Sequence, residues 1–237
     1  MKAMIFAAGL GTRFKPWTDK HPKALALVNG KSLLQKNIEY LQLYGITEAI
    51  VNVHHFAQQV IDAIKINKGW GSQITISDEK DEVLETGGGL KKASCYFDET
   101  PFIVINVDVL TDLNLNAMTS YHNEHKPLAT LAVTNRQTSR YFLFDGDNNL
   151  CGWRNTKTSD EKISRPQKDL IQKAFSGIHI IEPKIFPLIE QTGKFSIVDS
   201  YLELSKTETI KGFDHSGSRF VDVGKPESVA VAEKLFV

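Results

Sequence analysis

Short apolar runs along the chain alternate with stretches whose apolar residues recur every three or four positions. This alternation predicts a mainly parallel sheet covered by helices. Residues 3–8, 49–53, 74–77, 102–107 and 128–133 read as buried strands. Between the first two, Ser32 is placed to cap a helix carrying Leu34, Ile38 and Leu41, and Gly45 supplies its stop. That is one βαβ unit, whose crossover is expected to be right-handed. Further helices are expected over Ala57–Ile66, after Gly87-Gly88-Gly89, and around 185–190 and 197–204. Past Val133 the period changes. Residues 141–144 and 150–153 flank Asp145-Gly146-Asp147-Asn148-Asn149 and read as a hairpin. A strand over 175–181 follows. Residues 218–223 read as a last strand returning to the same sheet, and Pro226 as the opening of a last helix over 227–236. The expected fold class is α/β, three-layer αβα with a mainly parallel, Rossmann-like central sheet and a small hairpin insertion. Neither a repeat nor a linker divides the chain, so 1–237 reads as a single domain.

Composition narrows the function classes. With 237 residues, 41% of them hydrophobic and 24% charged, the chain has the makings of a globular protein with a sizeable core. Lysine and arginine total 28, aspartate and glutamate 28, so no global charge points to nucleic acid or to an anionic membrane. The distribution is less even: residues 1–36 hold seven basic side chains and the single acid Asp19. If that segment lines a pocket, it attracts a small polyanion. Cys95 and Cys151 stand far apart without a C-x-x-C spacing, which argues against a disulfide framework or a thiolate metal site and fits a reducing cytoplasm. No stretch approaches the roughly 18 apolar residues of a membrane span.

The most informative stretch is Gly9-Leu10-Gly11-Thr12-Arg13-Phe14-Lys15-Pro16 after the first strand. Glycines let backbone N–H groups approach phosphate oxygens, and Arg13 and Lys15 add charge, so the segment reads as a phosphate cradle. A dinucleotide fingerprint fails because Phe14 stands where the third glycine belongs. A Walker A loop ending at Gly30-Lys31-Ser32 fails because its first glycine would be Leu25. An Asp ending a buried strand is costly unless it binds something, and Asp108 ends 102–107 in this way, at the edge where open α/β sheets hold ligands. Asp222, in Phe220-Val221-Asp222-Val223-Gly224, is a second case. The segment 145–149 imitates an EF-hand start but lacks its Gly and its closing Glu, and reads as a turn. His54-His55 and His122-x-x-His125 have no neighbours that complete a metal site.

The segment from Ala7 to Pro16, followed by His21-Pro22-Lys23-Ala24-Leu25, resembles the signature of the sugar-1-phosphate nucleotidyltransferases. That resemblance implies a fold of the nucleotide-diphospho-sugar transferase type. It implies a nucleotide-binding part over about 1–135 and a sugar-binding part, with the returning strand, over about 136–237. It implies that Ala7, Ala8, Gly9, Gly11, Thr12 and Arg13 wrap a nucleoside triphosphate, that Lys23 reaches the reacting phosphate, and that Glu85, Thr86 and Gly87 belong to the base-binding turn. By the same likeness, Asp108 and Asp222 hold Mg²⁺, Arg13, Lys23 and Asp108 are catalytic, and the sugar phosphate borders on Asn106, Ser176, Gly177 and Asp222. The stretch Leu84-Glu85-Thr86-Gly87-Gly88-Gly89-Leu90 looks most like the short N-acetylmuramate 1-phosphate uridylyltransferases, and like some mannose-1-phosphate guanylyltransferases. The implied partners are UTP or another nucleoside triphosphate and a sugar 1-phosphate. Val107 stands where the family usually has Gly, which leaves open a nucleotide-sugar-binding protein without activity.

Overall fold

The computed structural model describes residues 1–80 and 82–236. In chain order the elements begin with β1 (Ala3–Phe6), three single-turn 3-10 segments, and the two-residue ladder of β2 (Leu27–Val28) with β3 (Lys31–Ser32). Then come α1 (Leu33–Gln42), β4 (Glu48–Val53), α2 (Ala57–Ile66), β5 (Gln73–Asp78), α3 (Glu85–Lys92), β6 (Phe102–Asn106), β7 (Val109–Thr111) and α4 (Leu115–His125). The later part comprises β8 (Ala129–Thr134), β9 (Arg140–Phe144), β10 (Leu150–Asn155), β11 (Asp160–Ile163), β12 (Ile171–Ile181), α5 (Ile197–Leu204), β13 (Ile210–Asp214), β14 (Phe220–Asp222) and α6 (Glu227–Leu235). No helix among the described residues is long and apolar enough to cross a membrane.

Ten strands form one mixed sheet in the order β11-β10-β9-β12-β6-β1-β4-β5, with β8 also paired to β12, and β13 to β8. Strands β6, β1, β4 and β5 are mutually parallel, which is the α/β core read from the sequence. Alternation along the strands sends successive side chains to opposite faces. Ala3 and Ile5 join Val51, Ile105, α1 residues Leu34 and Ile38, and α2 residue Val60 in one core. Met4 and Phe6 join Val104, α3 residue Leu90 and α5 residues Ile197 and Tyr201 in the other. Helices therefore cover both faces, giving three layers. Helix α1 starts as its sequence demands: Ser32 Oγ accepts from Gln35 N at 3.1 Å, and Gly45 closes the end at φ +73°.

Three expectations need correction. Helix α3 starts at Glu85 and contains Gly87, Gly88 and Gly89 rather than following them. The segment around 185–190 is a 3-10 stretch, Pro183–Leu188, with Pro187 inside it and so unable to continue as α-helix. The last strand does not rejoin the sheet: β14 pairs with β7 in a separate antiparallel ribbon. The strand that returns is β13, parallel to β8, which the sequence reading passed over. Segment 145–149 is the hairpin turn expected, with Asp145 Oδ1 accepting from the amides of Asp147 and Asn149.

Candidate active site

The glycine loop leaves the carboxyl end of β1 and is pinned from three sides. Ala7 N donates to Asn52 Oδ1 at 2.7 Å, Phe14 N to Gly11 O at 2.8 Å, and Thr18 Oγ1 to Gly11 O at 2.9 Å. Gly11 sits at φ +60°, and a Cβ there would lie 2.7 Å from Thr18 Cγ2, so only glycine fits. Phe14 is buried in the same core cluster as Ala24 and Val28 and anchors the loop.

Asp108 and Asp222 lie 114 positions apart in sequence and adjacent in space, because β14 runs against β7: Asp222 pairs with Val109, and Val223 N donates to Asp108 O at 2.8 Å. Lys23 Nζ is bonded to Asp108 Oδ2. A Cβ on Gly224 would lie 2.7 Å from Asp222 Oδ1 and 3.1 Å from an Arg13 guanidinium nitrogen, so Arg13 and Asp222 converge there. Burial, followed by the charge of Asp108, pushes the Asp222 carboxyl above its ordinary pKa, outweighing Lys23, Arg13 and Arg136. Two carboxylates crowded so closely invite a divalent cation between them. No group of three or more His, Cys, Asp or Glu side chains is poised for a metal among the described residues. Two carboxylate ligands, with substrate oxygens and water for the rest, are the donor set Mg²⁺ accepts. Val107 packs into the core with Ile5 and Ile105, although it also forms part of the cavity wall.

A cavity of about 740 Å³ opens at this edge of the sheet. Ala7, Ala8, Gly9, Gly11, Thr12, Arg13, Lys23, Glu85, Thr86, Asn106 and Asp108 all line it. Gly87, Ser176, Gly177 and Asp222 do not. Asp222 lies just behind Gly224, which does. The Ser176 hydroxyl faces away from the cavity and bonds His215 Nε2 at 2.7 Å, and Gly177, at φ +71°, backs the Asn106 side chain. The two therefore lie outside the cavity surface and support neighbouring residues.

The three glycines of α3 each make room for a different neighbour. A Cβ on Gly87 would strike the Phe195 ring at 2.3 Å, one on Gly88 the Gly193 carbonyl oxygen at 2.2 Å, and one on Gly89 Glu79 Oε1 at 2.6 Å. Through these contacts the segment 193–197 is zipped to α3: Gly87 N donates to Phe195 O at 2.9 Å, Phe195 N to Leu84 O at 3.2 Å and Ile197 N to Thr86 Oγ1 at 3.0 Å. The consequence is that Lys194 and Ser196 line the cavity, two residues the sequence reading missed. Glu79, also missed, is buried; its oxygens accept from Asn52 Nδ2 at 2.7 Å and Leu84 N at 2.9 Å, tying the glycine loop's support to the start of α3.

The basic excess of the first 36 residues is not gathered in the cavity. Lys2 pairs with Asp98, Lys15 with Asp19 and Lys31 with Glu39. Among the described residues, the cavity is lined by the cations Arg13, Lys23 and Lys194 and the acids Glu79, Glu82, Glu85 and Asp108; Lys23 pairs with Asp108 and Lys194 lies 3.8 Å from Glu85. A polyphosphate entering this cavity therefore needs a cation of its own.

The Nucleotidyl transferase family matches residues 2–235. This chain belongs to that family. Within this nucleotidyl transferase family, the sequence falls with the sugar-1-phosphate enzymes. It is 30% identical to an N-acetylmuramate alpha-1-phosphate uridylyltransferase of Caulobacter vibrioides, over 98% of this chain and 95% of that one. It is 28% identical to a mannose-1-phosphate guanyltransferase of Yarrowia lipolytica, over 100% of this chain but only 64% of that protein. Among solved structures, HddC from Yersinia pseudotuberculosis complexed with GMP-PN superposes with a TM-score of 0.76 at 25% identity, covering 100% of this chain and 99% of that one.

Proposed function

We propose that this nucleotidyl transferase joins the nucleoside monophosphate of UTP to N-acetylmuramate 1-phosphate, releasing pyrophosphate, as a cytoplasmic step in cell-wall sugar recycling. The observation that carries the chemistry is the meeting of Asp108 and Asp222 beside Lys23 and Arg13. The base and sugar rest on the relative from Caulobacter vibrioides, whose length this chain matches almost end to end. In this reading residues 1–135 hold the nucleotide and 136–237 the sugar, within one catalytic domain.

An oxygen of the sugar 1-phosphate attacks the α-phosphorus in line; the new P–O bond forms as the bond to the β-phosphate oxygen breaks, and pyrophosphate leaves with the electron pair. No protein base is needed, because a phosphate monoester with second pKa about 6 is already largely dianionic at neutral pH. The Gly9–Arg13 amides and the Arg13 guanidinium hold the triphosphate, while Lys23, fixed by Asp108, stands at the reacting phosphate. Asp108 and Asp222 would hold Mg²⁺, which when bound screens the two anions from each other and stabilises charge on the transferring group.

A guanylyl transfer to mannose 1-phosphate is the second reading, favoured by the guanyltransferase relatives and by HddC with its guanine nucleotide. An inactive binding protein is a further alternative, motivated by Val107, which packs into the core and also forms part of the cavity wall. The test is a panel of nucleoside triphosphates against sugar 1-phosphates with Mg²⁺, read by pyrophosphate release. The proposal expects the highest kcat/KM for UTP with N-acetylmuramate 1-phosphate. A preference for GTP with mannose 1-phosphate overturns it in favour of the second reading.

A further inference from the structure

Behind the Asp108 wall of the cavity, β14 presents Phe220 and Asp222 on one face, since alternate residues of a strand share a side. Arg136, in the connection from β8 to β9, lies over the Phe220 ring with its guanidinium carbon 5.0 Å from the centroid. It therefore stands on the Asp222 side of the ribbon, and each charge acts on the other. Arg13 reaches the same carboxylate from the glycine loop, so the carboxylate is flanked by two arginines from different parts of the chain.

The environment of Arg136 is unusual for a structural arginine. One terminal nitrogen donates to Phe175 O at 2.6 Å. Its Nε is buried without a hydrogen-bond partner, and among the described residues no carboxylate forms an ion pair with it. Two of its neighbours along the same sheet end are similarly placed: His215, 5% exposed and 5.9 Å ring to ring from Phe220, has an unpartnered Nδ1, and Thr134 an unpartnered Oγ1. Asp222, shared with Arg13, acts on Arg136 without a direct ion pair, and a buried guanidinium whose Nε lacks a partner is costly; an oxyanion delivered by a substrate offsets that cost through charge-assisted, directional hydrogen bonds. Stacking on Phe220 holds the planar guanidinium ready for it.

We propose that Arg136 selects the acceptor: its guanidinium binds an oxyanion of the sugar phosphate, either the 1-phosphate itself or a carboxylate elsewhere on the sugar. This deepens the function proposed above and rests on it. Arg136 does not itself line the cavity; it stands beside Asp222, which lies behind the cavity-lining Gly224.

The test compares wild type, Arg136→Ala, Arg136→Lys and the exposed-site control Arg140→Ala, with N-acetylmuramate 1-phosphate and N-acetylglucosamine 1-phosphate, which keeps the phosphate but lacks the carboxylate, as acceptors. Arg136→Ala is expected to raise the acceptor KM about ten- to a hundredfold, the range of a lost hydrogen bond to a charged group. The nucleotide KM and the Mg²⁺ concentration for half-maximal rate stay at wild-type values, and Arg136→Lys restores part of the loss. A rise confined to the carboxylate-bearing acceptor assigns the carboxylate, and an equal rise for both assigns the 1-phosphate. An unchanged acceptor KM overturns the proposal, as does a loss spread evenly over both substrates and Mg²⁺. Calorimetric binding of the two sugar phosphates needs no turnover: binding lost in Arg136→Ala supports the role, and binding that is equal in both proteins, or absent from both, overturns it. Wild type that binds a sugar phosphate yet releases no pyrophosphate refutes the catalytic reading alone.

Discussion

Replacing Gly88 by Ala separates two physical effects of opposite sign. In an isolated helix the change favours folding by about 1 kcal/mol, because glycine is the poorer helix former. In α3 the new methyl would sit 2.2 Å from the Gly193 carbonyl oxygen and 3.0 Å from Leu84 Cβ. To reach an ordinary 3.4 Å contact, the Gly193 backbone must retreat by about 1.2 Å. Overpacking of this kind costs roughly 1–3 kcal/mol, so the net expectation runs from no change to a loss of about 2 kcal/mol. The retreat also strains the hydrogen bonds from Gly87, Gly88 and Phe195 that hold Lys194 and Ser196 at the cavity. Urea unfolding should show no gain in stability, and the nucleotide KM should rise. Gly146→Ala, whose Cβ would meet open space, serves as control and stays within about 0.5 kcal/mol of wild type. A Gly88→Ala protein that gains about 1 kcal/mol with an unchanged KM would refute the packing of α3 against 193–197.

Further outcomes follow from the same geometry. Lys23→Ala and Asp108→Asn should each slow turnover on the order of 10²- to 10³-fold while circular dichroism stays native; near-wild-type rates in either refute the assigned roles. Arg13→Ala should raise the nucleotide KM, and an unchanged value counts against its phosphate contact. Burial holds His179 down to about 3 and His215 down to about 4, whereas in the unfolded chain both take a proton near pH 6.5. Because the folded values are depressed, the unfolded state binds more protons in that window. Stability is therefore full above pH 6.5 and falls as pH drops from 6.5 toward 4. Denaturation midpoints that are flat between pH 7 and pH 5 contradict it.

Much of the glycine-loop side of the cavity was legible because its signals are local. Gly9 and Gly11 follow an apolar run, Ser32 precedes a helical period, and each dictates its neighbourhood without help from distant residues. Asp108 was visible for the same reason, as an acid at the end of 102–107. Lys194 and Ser196 were not, because what brings them to the cavity is contact between α3 and a segment more than a hundred positions away, and Glu79 was not, because its role comes from bonds to Asn52 and Leu84 that its own surroundings in the sequence do not signal. The glycines of α3 mark that contact, yet their spacing alone is equally that of a flexible turn. Strand β13 was missed because Ile210–Asp214 carries Lys211, Gly212 and Asp214 and gains its register only from β8. Strand β11, Asp-Glu-Lys-Ile, is exposed throughout and has no apolar face to betray it. The charge excess of residues 1–36 misled in the opposite sense, since net charge says nothing about which lysines find partners.

The central claim is that Asp108 and Asp222 serve one divalent cation, and the most direct measurement of it is titration of Mn²⁺ into the protein with a non-reacting nucleoside triphosphate bound. One ion should bind per chain, and Asp108→Asn and Asp222→Asn should each weaken it by at least the roughly tenfold that even outer partners of a metal contribute. Mn²⁺ affinity untouched by both substitutions would contradict the account.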